Sequence, residues 1–148
     1  MKKIIKKEHS KKVKALLDEF NSLQSAIGWF NHQHYPDGTP IAYVAQIHEF
    51  GAPQKNIPPR PFMRPTGQKH HKDWADDFRR GFNAAVNGGV SPRQVFDQIG
   101  EQVAGQIAES IKAVTSPPLK YKQKHGNQSP LRDTKLMFQS ITSKTSRK

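Results

Sequence analysis

The sequence predicts an α+β fold, in which a small antiparallel or mixed sheet packs against two to four helices and the chain carries extended N- and C-terminal arms. Apolar residues recur at helical spacing in several separate segments, and a short aromatic segment is typical of a strand. The chain has 148 residues, of which 34% are hydrophobic. Length and composition together indicate one domain with a small core.

The first predicted helix covers residues 4–24, where apolar side chains line one face of a 3.6-residue period. Its apolar positions are Ile5, Val13, Leu16, Leu17, Phe20 and Leu23. Lysines crowd its first half, where cations oppose the helix macrodipole. The first turns are therefore expected to fray or to be held by a partner, and a solvated helix end and a docking arm are both open. The predicted partner contacts in this segment are Lys2, Lys3, Lys6 and Lys7.

The segment after this helix predicts a strand, a turn and a short helix. Residues Ser25–His32 are aromatic and favour a strand, and Tyr35–Pro40 contains the Pro, Asp and Gly of a turn. Apolar residues three apart in Ile41–Phe50 predict a helix that stops at Gly51, although a strand is the alternative for so short a segment.

A proline-rich segment, Ala52–Pro65, contains five prolines in fourteen residues. Proline fixes φ and has no N–H to donate, so the segment is predicted to be a stiff extended arm and not a helix. Such an arm loses little entropy on docking, which favours a contact with a neighbouring subunit. The alternative is a packed loop whose arginines pair with local acids. The predicted contact residues are Ile57, Pro58, Arg60, Phe62 and Arg64.

Two longer helices are predicted next. Helical spacing runs over Thr66–Asn87, and Ser91 and Gln94 are placed as a capping box that opens a helix whose apolar stripe reaches Val114. The predicted core is formed by Leu16, Leu17, Phe20, Trp29, Val44, Ile47, Phe50, Trp74, Phe78, Phe82, Phe96, Ile99, Val103 and Ile107.

The C-terminal part has little apolar content at first. A mobile loop is predicted over residues 115–130, followed by a short helix that Asp133 or Thr134 caps and that reaches Phe138. A last strand is predicted at Ser140–Ser143.

The formal net charge of +12 is unevenly distributed, and it divides the sequence into three parts. A basic N-terminal arm, residues 1–14, has seven Lys and one Glu and continues into the first helix. The α+β body, 15–114, has nine basic and ten acidic residues, and the basic C-terminal segment, 115–148, has eight Lys or Arg and one Asp. Cationic ends on a neutral body attract polyanions, although basic tails also serve solubility alone. No apolar run is long enough to predict a membrane span.

Catalytic signatures are missing from the sequence. It has no cysteine, which excludes thiol catalysis and Cys-based zinc sites, and it contains no G-x-S-x-G, P-loop or H-E-x-x-H motif. The adjacent pair His48 and Glu49 would point about 100° apart on a helix, so the two side chains are not expected to cooperate. The sequence therefore predicts a protein that is not an enzyme and has no metal or cofactor.

Three blocks of the sequence resemble the tail-completion or neck family of tailed bacteriophages, which includes the minor tail Z-like and head–tail joining proteins. The first ends in His48, Glu49, Phe50 and Gly51, and the second is Ile57–Pro65. The third, Leu131–Ile141, matches a family block except that Lys135 stands where the family has Gly. A left-handed residue at that position would disfavour Lys.

The resemblance implies a structural virion protein that joins the head to the tail, or completes the tail end, by assembling into a ring of six copies, with twelve as the alternative. It implies contacts with neighbouring neck proteins, namely a head-closure or adaptor ring and a tail tube or terminator, in a virion assembled in the bacterial cytoplasm. Asp133 and Thr134 join the predicted contact residues. Non-specific contact with phage DNA is also expected, and a small basic nucleic-acid-binding protein is the alternative function.

Overall fold

The computed structural model describes residues 2–117 and 135–148, with the side chains of residues 2–5 excepted. The described helices are α1 (Lys2–Ser22), α2 (Ile41–Phe50), α3 (Met63–Val86), α4 (Pro92–Ala113) and the short α5 (Leu136–Gln139), and a 3-10 turn covers Pro53–Lys55. The strands β1 (Leu23–Gly28) and β2 (Thr142–Arg147) form a two-stranded antiparallel sheet. The predicted α+β class is confirmed.

The described residues group into two compact units. Unit 1 takes its residues from Met1–Ala26, His71–Glu101 and Ser143–Lys148, and unit 2 takes its residues from Ile27–His70 and Gln102–Thr142. The sequence distinguished its three parts by charge, whereas the structure groups residues by packing.

Unit 1 is held together by phenylalanines from three helices. The ring of Phe20 in α1 packs against Phe82 of α3 and Phe96 of α4, with centroid distances of 5.3 and 5.9 Å. Phe78 meets Phe96 edge-on at 5.0 Å. Edge-to-face packing of this kind is favourable beyond the burial of apolar area, so the cluster fixes how these helix segments cross.

The sheet of unit 1 is tied by polar contacts to the helices beside it. Hydroxyl groups of Ser25 in β1 and Thr145 in β2 lie 2.9 Å apart, and Thr145 is buried. The Lys148 N–H donates to the carbonyl of Ser22, the last residue of α1, at 2.9 Å. The C-terminus of the chain therefore lies at the C-terminal end of α1.

Several predicted elements are confirmed with their local signals. The α2 helix has the predicted bounds, so the strand alternative is wrong. In the capping box, the Gln94 N–H donates to Ser91 Oγ at 3.2 Å and the Ser91 N–H donates to Gln94 Oε1 at 2.8 Å. The predicted turn is closed by Tyr35 N–H donating to the Thr39 carbonyl at 2.8 Å. Ile99, Val103 and Ile107 are buried as predicted.

Other bounds differ from the predictions. The first strand starts at Leu23 and ends at Gly28, and the last strand runs over Thr142–Arg147, so both predicted strands were misplaced by a few residues. The long predicted loop over 115–130 lies outside the described residues from position 118 onward. Leu17 is 45% exposed and is not a core residue, since it lies about 100° round α1 from the packed Leu16.

The proline-rich segment is only partly extended. It contains a 3-10 turn, and α3 begins at Met63, so Met63, Arg64 and Pro65 form the first helical turn. Proline is tolerated in the first turn of a helix because its missing N–H has no intrahelical partner there. The prediction that no helix includes these residues is wrong. No described helix is long and apolar enough to cross a membrane.

Lys135, which stands where the resembled family has glycine, adopts the left-handed backbone conformation that disfavours a residue with a Cβ. Its φ is 60° and its ψ is −8°, and it directly precedes α5. A residue with a Cβ loses roughly 1–2 kcal/mol in this region relative to glycine.

We therefore expect Lys135→Gly to raise the free energy of unfolding by about 1 kcal/mol, measured by urea denaturation. Lys135→Ala keeps the Cβ and serves as the control, with an expected change below about 0.5 kcal/mol. An equal gain in both variants would show that the lysine chain, and not its backbone, limits stability.

Candidate interaction site

The site in unit 2 begins with the register of α2. Its buried positions are Ile41, Ala45 and Glu49, which recur every four residues. The three-residue spacing of apolar residues in the sequence predicted that Phe50 lies on the buried face of α2. Glu49 takes that place instead and is 3% exposed, while Phe50 lies about 100° further round the helix and is 60% exposed.

The Glu49 carboxylate binds the N-terminus of α3. Its Oε2 accepts hydrogen bonds from the backbone N–H groups of Phe62 at 2.7 Å and Met63 at 2.9 Å, and its Oε1 accepts from the Arg64 N–H at 3.1 Å. The first N–H groups of a helix have no intrahelical acceptor, and the helix macrodipole favours an anion there. Glu49 therefore caps a helix that begins fourteen residues after it.

Arg64 adds a second connection between the same two elements. Its Nε donates to Glu49 Oε1 at 2.9 Å, and its Nη2 donates to the Glu49 backbone carbonyl at 2.8 Å. Burial alone would raise the pKa of Glu49, but the bonds from Phe62, Met63 and Arg64 outweigh it and hold that pKa below its ordinary value. The carboxylate is consequently ionised at neutral pH.

Phe62 is the centre of the apolar packing around this cap. Its side chain has no accessible surface. Its carbonyl accepts hydrogen bonds from Thr66 Oγ1 at 2.6 Å and Ser110 Oγ at 3.1 Å, and its ring meets Trp29 edge-on at 6.0 Å. The backbone carbonyl of Phe62 is therefore hydrogen-bonded and its ring is packed, both within its own chain.

Trp29 connects the C-terminal block to the same place. The indole N–H donates to the Met137 carbonyl at 2.8 Å, and Met137 is buried in α5. Gln33 Nε2 donates to the Ser140 carbonyl at 2.5 Å. The three sequence blocks, which are far apart along the chain, therefore meet in unit 2, as far as their described residues show.

Gly51 makes the chain reversal after α2 sterically feasible. Its φ is 77°, and a Cβ built on it would lie 2.9 Å from the Ile57 carbonyl oxygen and 2.9 Å from the Pro59 nitrogen. Both atoms belong to the backbone and cannot move cheaply. Glycine is required here on grounds of backbone conformation and of space.

A backbone hydrogen bond joins the half-buried His48 to the buried Arg60. The Arg60 N–H donates to the His48 carbonyl at 2.6 Å, and Arg60 Nε donates to the Pro117 carbonyl at 2.8 Å. His48 Nδ1 is buried without a hydrogen-bond partner. Burial, and secondarily the charge of Arg60, lower the pKa of His48 to about 4, so its imidazole is neutral at pH 7.

The outer surface of the site is aromatic and cationic. Tyr43 is 49% exposed and lies seven residues before Phe50, which places the two rings on one face of α2. The Arg64 guanidinium lies 4.9 Å from the centroid of the Phe50 ring. We call these three residues the outer α2 face. Exposed aromatic side chains beside an arginine are typical of protein interfaces.

The predicted contact residues divide by exposure. Phe62 and Arg60 are buried inside their own chain, which leaves their side chains little surface for a neighbouring subunit, and the contact itself stays a prediction. Ile57 and Pro58 are half-buried, and Arg64 is exposed but paired with Glu49, as the packed-loop alternative required.

The remaining predicted contacts lie elsewhere. Lys6 and Lys7 are exposed on α1, whereas Lys2 and Lys3 belong to the same helix without described side chains. Asp133 and Thr134 lie outside the described residues. Sequence reasoning missed the capping role of Glu49; the four-residue spacing of Ile41, Ala45 and Glu49 indicates the buried face of α2 but not the groups that Glu49 binds.

Neither a candidate metal site nor a similar known protein was found for this chain, as far as the described residues show. Within residues 2–117 and 135–148, no group of three or more His, Asp or Glu side chains is arranged to hold a metal ion. No protein-family model, curated protein or solved structure matches the chain.

We expect Glu49→Gln to lower the free energy of unfolding by about 2–3 kcal/mol, because hydrogen bonds to a charged acceptor are strong and one amide oxygen cannot replace two carboxylate oxygens. Arg64→Gln is the control, since it removes the half-exposed ion pair but leaves the three backbone bonds, and it should cost less than about 1 kcal/mol. Chemical denaturation measures both. Equal losses would contradict the dominance of the helix cap.

The pH dependence of stability tests the environment of His48. Its folded pKa of about 4 lies below the ordinary 6.5, so the unfolded chain binds the proton first and stability falls as pH drops from 6.5 towards 4. At pH 5 this loss amounts to about 2 kcal/mol relative to pH 7.5.

We expect His48→Gln to lose less stability than the wild type between those two pH values. His9→Gln, on the exposed part of α1, should follow the wild-type curve. Thermal denaturation at a series of pH values gives the slope. If His48→Gln and the wild type lose the same stability on acidification, the loss arises from another titrating group and not from His48. Glu49 contributes separately, because its lowered pKa is crossed only below its ordinary value of 4.5.

Proposed function

We propose that the chain is a structural virion protein of a tailed phage, which joins the head to the tail or completes the tail end in the neck by assembling into a ring. The proposal rests on the resemblance of the three sequence blocks to the neck family. It gains physical support from unit 2, where Glu49 of the first block caps the helix that the second block begins. Trp29 contacts the second and third blocks.

The outer α2 face is the observation that carries the proposal furthest. Phe50 belongs to the first block, yet its ring is 60% exposed and contributes little to its own core. Phe50 is grouped with the exposed Tyr43 and with Arg64, and aromatic side chains beside an arginine are frequent hot spots in interfaces. In this proposal the outer α2 face contacts the next copy of the chain, and Arg64 supplies a cation beside the ring.

The ring would contain six copies, or twelve as the alternative, and would sit between a head-closure or adaptor ring and the tail tube or terminator. A head-to-tail contact between identical subunits closes into a ring when its rotation divides a full turn. The cationic segments then recur around the ring axis. Its role is assembly, without catalysis or a cofactor, and its place is the virion neck after assembly in the bacterial cytoplasm.

The direct test uses the phage or prophage that encodes the chain. Deleting the gene should leave DNA-filled heads and tails unjoined, and purified protein should restore infectious particles in a mixture of the two. A variant with Phe50→Ala and Tyr43→Ala should restore at least about tenfold fewer particles, since hot-spot truncations cost 2 kcal/mol or more. Lys55→Ala, exposed on the neighbouring 3-10 turn, is the control and should restore as many as the wild type.

One result would overturn the proposal, and a second would overturn only the part that assigns the contact to the outer α2 face. Complete infectious particles from the deletion phage would exclude a joining role. Equal restoration by the control and the double variant would leave joining intact and remove the outer α2 face from it. Because the chain has no cysteine, a single Gln46→Cys variant, exposed one turn before Phe50 on the same face of α2, also permits cross-linking of assembled necks, and the subunit it captures is the direct readout of the contact.

A further inference from the structure

The first half of α1 is exposed on all sides. Every side chain from Lys6 to Lys12 is exposed, and Val13 is the first with partial burial. The packing face of α1 then continues through Leu16 and Phe20, which is where the aromatic cluster of unit 1 holds the helix. Among the described residues, the contacts that hold α1 therefore lie in its C-terminal half.

Lysines line the face of α1 opposite to its packing face. At about 100° per residue, Lys7, Lys11 and Lys14 fall within about 60° of one another, and their mean direction lies about 150° from that of Val13, Leu16 and Phe20. All three lysines are exposed. Lys3 holds the preceding register position on the same line. We call Lys7, Lys11 and Lys14 the lysine stripe, and Asp18 marks its end.

The energy of this arrangement favours an external anion. Lys7 and Lys11 are four residues apart and Lys11 and Lys14 are three apart, and like charges at these spacings destabilise a helix by about 0.2–0.5 kcal/mol for each pair. A helical segment of this length is also marginal in water without packing. An anion bound along the stripe removes the first penalty and stabilises the exposed turns.

The composition of the exposed turns identifies the kind of anion. Residues 6–12 contain four Lys and no aromatic, apolar or Arg side chain. Protein interfaces are depleted in Lys and enriched in aromatic residues and Arg, whereas Lys binds phosphate as a point charge. The segment also lacks the Arg, Asn and Gln side chains that read base edges.

We propose that the lysine stripe binds the phosphate backbone of duplex DNA without sequence preference. From Lys7 to Lys14 the helix rises about 10 Å, and a DNA strand presents one phosphate for about every 3.4 Å of axis. The three lysines of the stripe thus match about three phosphates of one strand. This inference does not depend on ring assembly, since it concerns one helix of a single chain, but a ring would multiply its strength through many weak contacts.

The test is fluorescence anisotropy with labelled duplexes of about 30 base pairs and two unrelated sequences, titrated with the full chain at salt from about 50 to about 300 mM. Both duplexes should bind with the same affinity, within about twofold, and log K should fall with log salt at a slope of about −3 to −4.

The decisive variant carries Lys7→Gln, Lys11→Gln and Lys14→Gln. It should bind at least about tenfold more weakly at 100 mM salt, and its salt slope should be smaller in magnitude by about 2–3. Gln is a good helix former, so circular dichroism should show unchanged helix content. The charge-matched control, Lys55→Gln, Lys69→Gln and Lys72→Gln, removes three other exposed lysines and should bind within about twofold of the wild type.

Equal weakening in both triple variants would overturn the inference, because net charge alone would then explain binding. Polyglutamate that displaces DNA at equal charge concentration would also overturn it in favour of an acidic protein face. Failure of these tests leaves the neck proposal standing, since head–tail joining is measured on other residues.

Discussion

A buried carboxylate is stable only when every one of its strong acceptor positions is matched by donors, and unit 2 is organised by that requirement. Glu49 accepts three backbone N–H groups and one guanidinium N–H, all from Phe62 and the first two residues of α3. The α2 C-terminus and the α3 N-terminus must therefore stay within hydrogen-bonding distance. A flexible connection would lose conformational entropy when the two helix ends are held together. The connection here is stiff, because it contains a 3-10 turn, several prolines and the obligatory Gly51, so it loses less.

The same constraint determines what the chain shows to the outside. Since Glu49 takes the inward position of the last turn of α2, Phe50 has to point outward, and its exposure follows from the helix register. Arg64 takes part on both sides, because its Nε and Nη2 bond to Glu49 while its guanidinium plane lies over the Phe50 ring. A change inside the cap would thus alter the outer α2 face, which links the stability of unit 2 to any contact made there.

Elements whose signals are local in sequence were predictable, and those whose partners are distant were not. The capping box of Ser91 and Gln94 lies within four residues and could be read directly, as could the α2 helix before Gly51. The cap that Glu49 provides joins residues 13 to 15 positions apart, so no local pattern encodes it. For the same reason Phe62, placed among prolines, was assigned to a partner surface although it is the most buried side chain of the segment.

The two basic ends, which the sequence presents as equivalent, differ in their relation to α1. Lys148 lies at the last residue of the helix, where its N–H bonds to the Ser22 carbonyl and where nearby cations are favoured by the macrodipole. Lys6 and Lys7 lie in the second turn of α1, towards its other end, and about 24 Å of helix separates Lys6 from Ser22. Lys148 therefore lies at the helix end where the macrodipole favours a cation, whereas Lys6 and Lys7 are exposed and gain nothing from it. Net charge alone would not distinguish these ends, and the direction of one helix does.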